Sequence, residues 1–232
     1  MAGHLTPMKI DIHVHTKKIK SGDPDGRNIN ETKFNETIRL TDVKILAITN
    51  HNHFDINQYK RFHDLVEDTC QIWPGVELDV IDDSKRAHLI VIANPKNAER
   101  FDKALTDLLK GIHADTFTST IEEIVGCFDK LDVIYITHYS SKKPDMSDAG
   151  IAKLMSQASN KQRVLKEASN SISAGIYVSH GHKSIFGSDI KNWADYPEIS
   201  KTLPDLRLPV ESFEQFCLLL EKDGTNNSNY SR

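Results

Sequence analysis

Residues 31–53, ETKFNETIRLTDVKILAITNHNH, carry the pattern that decides the fold. Phe34, Ile38 and Thr41 recur at helical spacing, and residues 43–49 then form a nearly continuous apolar run that stops at Asn50, His51, Asn52 and His53. A helical pattern that feeds a short β-branched run is one link of a chain of parallel strands joined by helices.

The same alternation extends in both directions. Upstream, residues 9–15 read as a strand, followed by a polar loop whose Gly22, Asp23, Pro24, Asp25 and Gly26 are turn formers. Loops of this length are often functional. Downstream, a helix over 57–68 places Tyr59, Phe62, Leu65 and Val66 on one face, and 72–80 is extended. Asp82, Asp83 and Ser84 then turn the chain so that 88–93 returns antiparallel; centring the turn on Asp83 pairs His88 with Leu78, within reach of Glu77. Helical patterns at 97–110, 120–130 and 147–158 alternate with extended segments at 133–137, 163–168, 175–178 and 185–189, and an amphipathic segment at 210–221 closes the series. The expected class is α/β, in one domain over 8–222. Residues 1–7 are aperiodic and read as a non-native extension or a flexible start. Residues 223–232 are polar and read as a flexible tail or linker.

Composition narrows the function classes. A chain of 232 residues with 38% hydrophobic and 27% charged residues is an ordinary globule that can bury a substantial core. No run approaches the roughly 20 apolar residues of a membrane helix, and the start lacks a signal-peptide core, so a cytoplasmic protein with no membrane partner is expected. Cys70, Cys127 and Cys217 are odd in number and far apart, which reads as reduced, mostly core, thiols. A net charge of -4 argues against a chain that grips nucleic acid by bulk charge alone, although a local basic groove is compatible with it. The 11 histidines matter more, because imidazole is the commonest metal ligand.

His13 and His15 lie two apart on a strand, so both rings share a face, as a common cation requires. That spacing alone is more often incidental. His51, His138 and Asp189 also sit at the ends of apolar runs, where the active sites of α/β barrels gather, and Glu77 adds a carboxylate with two oxygens that can bridge two cations. Any one of these could be a satisfied polar residue at a strand end. All six together make that reading poor.

These residues resemble, in order, the motifs of the polymerase and histidinol phosphatase (PHP) superfamily: Asp11-Ile-His13-Val-His15-Thr, Thr49-Asn-His51-Asn, Pro74-Gly-Val-Glu77, His88, Thr137-His138 and Gly187-Ser-Asp189, spanning about residues 9 to 222. The resemblance implies a distorted (β/α)7 barrel, a phosphoester substrate and divalent Mn, Zn or Fe. It places His13, His15, Glu77 and Asp189 on one ion, and Glu77, His88 and His138 on a second, with Glu77 as the bridge. Catalytic roles fall to Glu77 and Asp189, to His51, which would belong to a third metal site or contact the phosphate, and to Lys191, which would add a positive charge there. Two departures, Asn50 where the family usually has aspartate and Lys191 where it has histidine, put a third ion in doubt, as does a loop that offers only Ser21 or Asp23. Two ions are therefore expected. Two such cations activate water for in-line attack on phosphorus.

Within that chemistry a nuclease acting on DNA or RNA is expected ahead of a small-molecule phosphatase of the histidinol-phosphatase type. Similar domains precede large ATPases, so a C-terminal ATPase or other partner domain suits the linker-like end. From another class, a degenerate PHP domain acting as a scaffold would explain Asn50 and Lys191. His180 and His182 read as loop residues and His53 and His63 as peripheral. Trp73 and Trp193 read as packing.

Overall fold

A computed structural model describes residues 8–206 and 210–222. The expected tail at 223–232 and the start at 1–7 lie outside the described residues. Seven strands form one curled path: β1 (Met8–Val14), β2 (Val43–Ile48), β3 (Gln71–Asp82), β4 (Lys85–Ala93), β6 (Val133–His138), β7 (Val164–Ala168) and β8 (Ser184–Phe186). The short β5 (Ser119–Thr120) pairs with β3, and β9 (Asp205–Leu206) pairs antiparallel with the start of β1. β4 runs antiparallel to both neighbours, which distorts an otherwise parallel barrel. Between β8 and β1 the chain itself closes the curl: Ser188 N donates to Asp11 Oδ1 at 2.9 Å and Asp189 N to His13 O at 2.8 Å.

The outer face of the sheet is covered by α1 (Glu31–Arg39), α2 (Ile56–Val66), α3 (Ala98–Leu109), α4 (Ile121–Phe128) and α5 (Asp148–Gln157). Their starts are written locally. Asp55 accepts from Asn57 N and Gln58 N ahead of α2, Thr120 and Glu123 form a capping box on α4, and Ser147 accepts from Gly150 N on α5. Each such cap contributes about 1 kcal/mol. Beyond them lie α6 (Ser171–Ser179), α7 (Tyr196–Lys201) and α8 (Phe213–Lys222). No helix of the described residues is long and apolar enough to cross a membrane.

The inner face is what positions the site. Ile10, Ile12, Ile45, Ala47, Trp73, Ile90, Ile92, Ile134, Ile136, Leu165 and Ile185 fill the barrel, and Phe213, Phe216 and Cys217 of α8 plug its base. Trp73 packs edge-on to Phe213 with centroids 5.1 Å apart, which is the packing role expected for it. Continue each strand by steps of two from this apolar floor and the same face turns polar: Glu77 and Asp79 above Trp73, His88 above Ile90, His138 above Ile136, Glu167 above Leu165. On β1 the step is broken. Asp11 pairs with Leu46 and Val14 with Ile48, so β1 carries one extra residue, and this bulge turns His13 and His15 to the side already occupied by Ile10 and Ile12.

Two sequence expectations need correction. The hairpin pairs His88 with Asp79, not Leu78, because the turn consists of the two residues Asp83 and Ser84, with Asp83 at φ 57°. The shift matters, since pairing with Leu78 would have turned His88 to the other face of the sheet, away from Glu77. Residues 175–178 are not extended. They belong to α6, which Asn170 starts by accepting from Ser173 N. His180 and His182 lie just past that helix, His180 exposed and His182 partly buried with its ring 6.1 Å from Tyr139.

Candidate metal centre

Glu77, 1% exposed, stands at the middle of the polar layer. Its Oε2 lies 3.1 Å from His13 Nε2, 3.2 Å from His15 Nε2 and 2.8 Å from His51 Nε2. Its Oε1 lies 2.6 Å from His88 Nδ1 and 3.2 Å from His138 Nε2. Asp189 enters from the closing segment, with Oδ1 3.5 Å from His15 Nε2. The structure thus brings His13, His15, His51, Glu77, His88, His138 and Asp189 into one cluster, and sets Lys191, with a largely exposed side chain, at its rim, 2.7 Å from Asp189 Oδ1.

Carboxylates stand behind several of the rings. His13 Nδ1 bonds Glu167 Oε1 at 3.0 Å, His51 Nδ1 bonds Asp23 Oδ1 at 2.7 Å, and His88 Nε2 lies 3.0 Å from Asp79 Oδ1. A carboxylate behind an imidazole fixes the ring and leaves the other nitrogen's lone pair facing inward, the arrangement of a metal-ligating histidine. Glu167 also turns Oε2 toward His138 Nε2 at 3.0 Å. Three sets of ligand atoms are close enough to share a cation: His13, His15 and Glu77; His13, His138 and Glu167; His51, Glu77 and His88.

The pattern of unmet hydrogen bonds fits a cation. Among the described residues, His15 Nδ1, Asp79 Oδ1, His88 Nδ1, both nitrogens of His138 and Glu167 Oε2 are buried without a hydrogen bond, although several approach partners within 3.2 Å. The other buried atoms without one are on His53 and Lys166. Close approach without hydrogen-bond direction is what lone pairs converging on a common point produce, and leaving such atoms unmet is otherwise costly.

In the protein alone the cluster is balanced by protons. Burial disfavours a charged ring, but Glu167, Glu77 and Asp189 outweigh it and push His13 up to about 10. Glu77 and Asp79 likewise outweigh burial at His88 and push it up to about 9. Burial prevails at His15, which falls to about 4. Burial would raise Glu77 and Glu167, yet His13 holds both well below the usual carboxylate range, helped at Glu77 by His88. The raised histidines stabilise the fold fully below about pH 6.5, and that contribution is lost as pH rises through about 9 to 10; the lowered carboxylates contribute above about pH 4 and lose it on acidification. Cations need unprotonated rings, so metal uptake at pH 7.5 should expel about two protons per chain, from His13 and His88. Titration calorimetry in two buffers of different ionisation enthalpy reads that number, and a heat independent of buffer would contradict it.

Asn50 has a different task from the ligand its position suggested. It is buried and turned away from the cluster: Oδ1 accepts from Thr16 N at 2.8 Å and Lys17 N at 3.2 Å, and Nδ2 donates to Thr16 Oγ1 at 3.1 Å. It ties the chain leaving β1 to the end of β2. Asn50→Ala is expected to leave metal content unchanged while costing about 1 to 3 kcal/mol in urea unfolding, because buried amides lose their acceptor. Trp193 also works as packing, with its Nε1 donating to His15 O at 2.9 Å.

Sequence reasoning passed over Glu167, Asp79, Arg27, Lys20 and Lys142. Lys142 Nζ lies 3.2 Å from Glu167 Oε1 and Lys20 Nζ 2.6 Å from Asp79 Oδ2, so both bring positive charge to the cluster's mouth. Period two from Glu77 pointed at Asp79, and period two from Leu165 pointed at Glu167. The lysines and Arg27 sit in loops and left no such signal.

No known sequence family matches the chain, and no curated protein does. Solved structures do. A Bifidobacterium adolescentis protein provisionally named a metal-dependent phosphoesterase superposes with TM-score 0.55 at 10% identity, covering 93% of this chain and 96% of that one. Endonuclease Q, in complex with duplex DNA bearing an abasic lesion, gives 0.60 at 12% identity over 95% of this chain and 58% of that chain. An amidohydrolase from Chromobacterium violaceum with bound sulfate gives 0.56 at 11% identity over 87% and 92%. At such identities the likeness is one of fold, and the fold is the distorted α/β barrel of PHP-type proteins that the motifs led us to expect.

Proposed function

We propose that this chain is a metal-dependent phosphoesterase that cleaves nucleic-acid strands or ends. The observation that carries the reading is Glu77, a buried carboxylate whose two oxygens each face a separate set of imidazoles. His13, His15, Glu77 and Asp189 would hold one divalent ion, and Glu77, His88 and His138 the second, with Glu167 able to join at His138. When bound, two such ions supply an acidified water and neutralise charge on the phosphate and leaving oxygen.

The chain's own residues do the rest. Asp23 and Glu167 hold the rings of His51 and His13 in one orientation. Asp189, His88 and His51, the more open members of the cluster, face the side from which a phosphate must arrive. Lys20, Lys142 and Lys191 pair with Asp79, Glu167 and Asp189 and bring ammonium groups to the mouth for phosphate oxygens; Lys142 and Lys191 would be released further where Glu167 and Asp189 held a cation. The buried floor of isoleucines keeps water out from below.

Preference for nucleic acid draws support from the fold shared with endonuclease Q and from the lysines at the mouth. The test is a substrate panel with manganese and with zinc: single- and double-stranded DNA, RNA, histidinol phosphate and p-nitrophenyl phosphate. Cleavage of a polynucleotide, lost in Glu77→Gln, is expected. Efficient hydrolysis of a monoester with every polynucleotide left intact would instead establish a small-molecule phosphatase.

A further inference from the structure

Arg27 closes the corner of the cluster that faces the loop between β1 and α1. Its side chain is 2% exposed, and every side of the guanidinium is used inside the protein. Nη1 lies 2.8 Å from Asp23 Oδ1 and 3.0 Å from His51 Nδ1, Nη2 donates to Asp189 Oδ1 at 2.8 Å, and Nε donates to Ile190 O at 3.4 Å. The loop is pressed onto the segment after β8 at this point: a Cβ on Gly26 would lie 2.7 Å from Lys191 O and 2.9 Å from Asn192 Cα.

Two carboxylates and an imidazole converging from three elements form a donor set that suits a divalent ion. Here the position between them is taken by a charge that cannot be titrated away, because guanidinium stays protonated in proteins. Asp23 is committed in other ways as well. Its Oδ2 accepts from Ile19 N at 3.0 Å and Lys20 N at 2.8 Å, which leaves Oδ1 for Arg27 and His51. Arg27 Nη1 and His51 Nδ1 both lie within hydrogen-bond distance of that oxygen, and His51 Nε2 faces Glu77 Oε2 at 2.8 Å. Lys191 adds a second cation on Asp189 Oδ1, at 2.7 Å.

We propose that Arg27 is a resident cation in the corner formed by Asp23, His51 and Asp189, which limits the centre to two metal ions and holds His51 and Asp189 in place. This rests on the metal-centre reading above. Arg27 is a positioning residue, since its Nε, Nη1 and Nη2 each donate within the protein.

The experiment is a count of bound manganese and zinc, by titration calorimetry and by elemental analysis after desalting, on wild type, Arg27→Ala and Arg27→Lys. Two ions in wild type, three in Arg27→Ala and two in Arg27→Lys are expected, because only the alanine variant removes the buried charge between Asp23 and Asp189, leaving the largely exposed Lys191 beside Asp189 for an entering ion to displace. A purely structural role for Arg27 would never add an ion. Two or fewer in Arg27→Ala, or three in wild type or in Arg27→Lys, overturns the inference while the metal centre stands. No ion in wild type overturns the metal-centre reading itself. Should the alanine variant fail to fold, the wild-type and lysine counts still decide, since three ions in either would contradict a resident cation.

Discussion

Glu77→Gln is expected to strip the protein of metal and to lower phosphoester hydrolysis by roughly 10³-fold or more. Among the described residues, Glu77 alone contacts all five imidazoles, through one oxygen or the other. The amide keeps the shape but loses the charge and one acceptor oxygen, so both sets of imidazoles lose the anion they share and keep only the flanking Asp189 and Glu167. Metal activation of water and charge neutralisation are together worth several kcal/mol of barrier, and each 1.36 kcal/mol is about tenfold in rate. Glu77→Ala goes further. With the rings of His13 and His88 pushed up to about 10 and about 9 by the surrounding carboxylates, its removal leaves buried positive charge less compensated, at about 3 to 5 kcal/mol of stability in the protein without metal. Elemental analysis, steady-state rates and urea unfolding on the three proteins check these expectations together. Full metal content in Glu77→Gln would contradict them.

Gly187→Ala is expected to damage the site through backbone geometry alone. A Cβ there would lie 2.3 Å from His13 Cβ and 2.8 Å from Glu167 Oε1. Two β-carbons cannot be separated by a rotamer change, so either β1 or the closing segment must move. Both carry candidate ligands, since Asp189 follows two residues later at φ 44° and is tied to His13 O by its own amide. Overpacking of this kind costs about 1 to 3 kcal/mol, and a misplacement of about 1 Å in a catalytic constellation costs about 10²-fold in rate. The two effects separate in experiment: thermal unfolding reports the first, and kcat at saturating metal reports the second. A variant with wild-type melting temperature and rate would show that the segment after β8 is free to shift.

The alternation of strand and helix was legible because each element carries its own period, and the polar caps of the apolar runs placed the histidines at one rim. What escaped the reading has specific physical causes. The hairpin register was one residue off, since Asp82, Asp83 and Ser84 accommodate a turn of two residues or of three equally well, and only pairing across the sheet decides. The bulge in β1 carries no mark of its own in DIHVH, yet without it His13 would share the outward face. Glu167 follows Lys166 and so looked like the polar end of a strand, whereas both are buried, the lysine over the Tyr139 ring at 3.5 Å. Asn50 looked like a lost ligand and holds the loop after β1 instead. Arg27 sits alone in a loop of turn formers, and nothing in its neighbours foretells that its charge ends between Asp23 and Asp189.

A proposed pair of metal ions divided by one carboxylate is tested most directly by anomalous diffraction from crystals grown with manganese, with data on both sides of the metal edge. Two anomalous peaks are expected, one on the Oε2 side of Glu77 among His13, His15 and Asp189, the other on the Oε1 side between His88 and His138. A single peak, peaks away from Glu77, or none at saturating manganese would contradict a dinuclear centre.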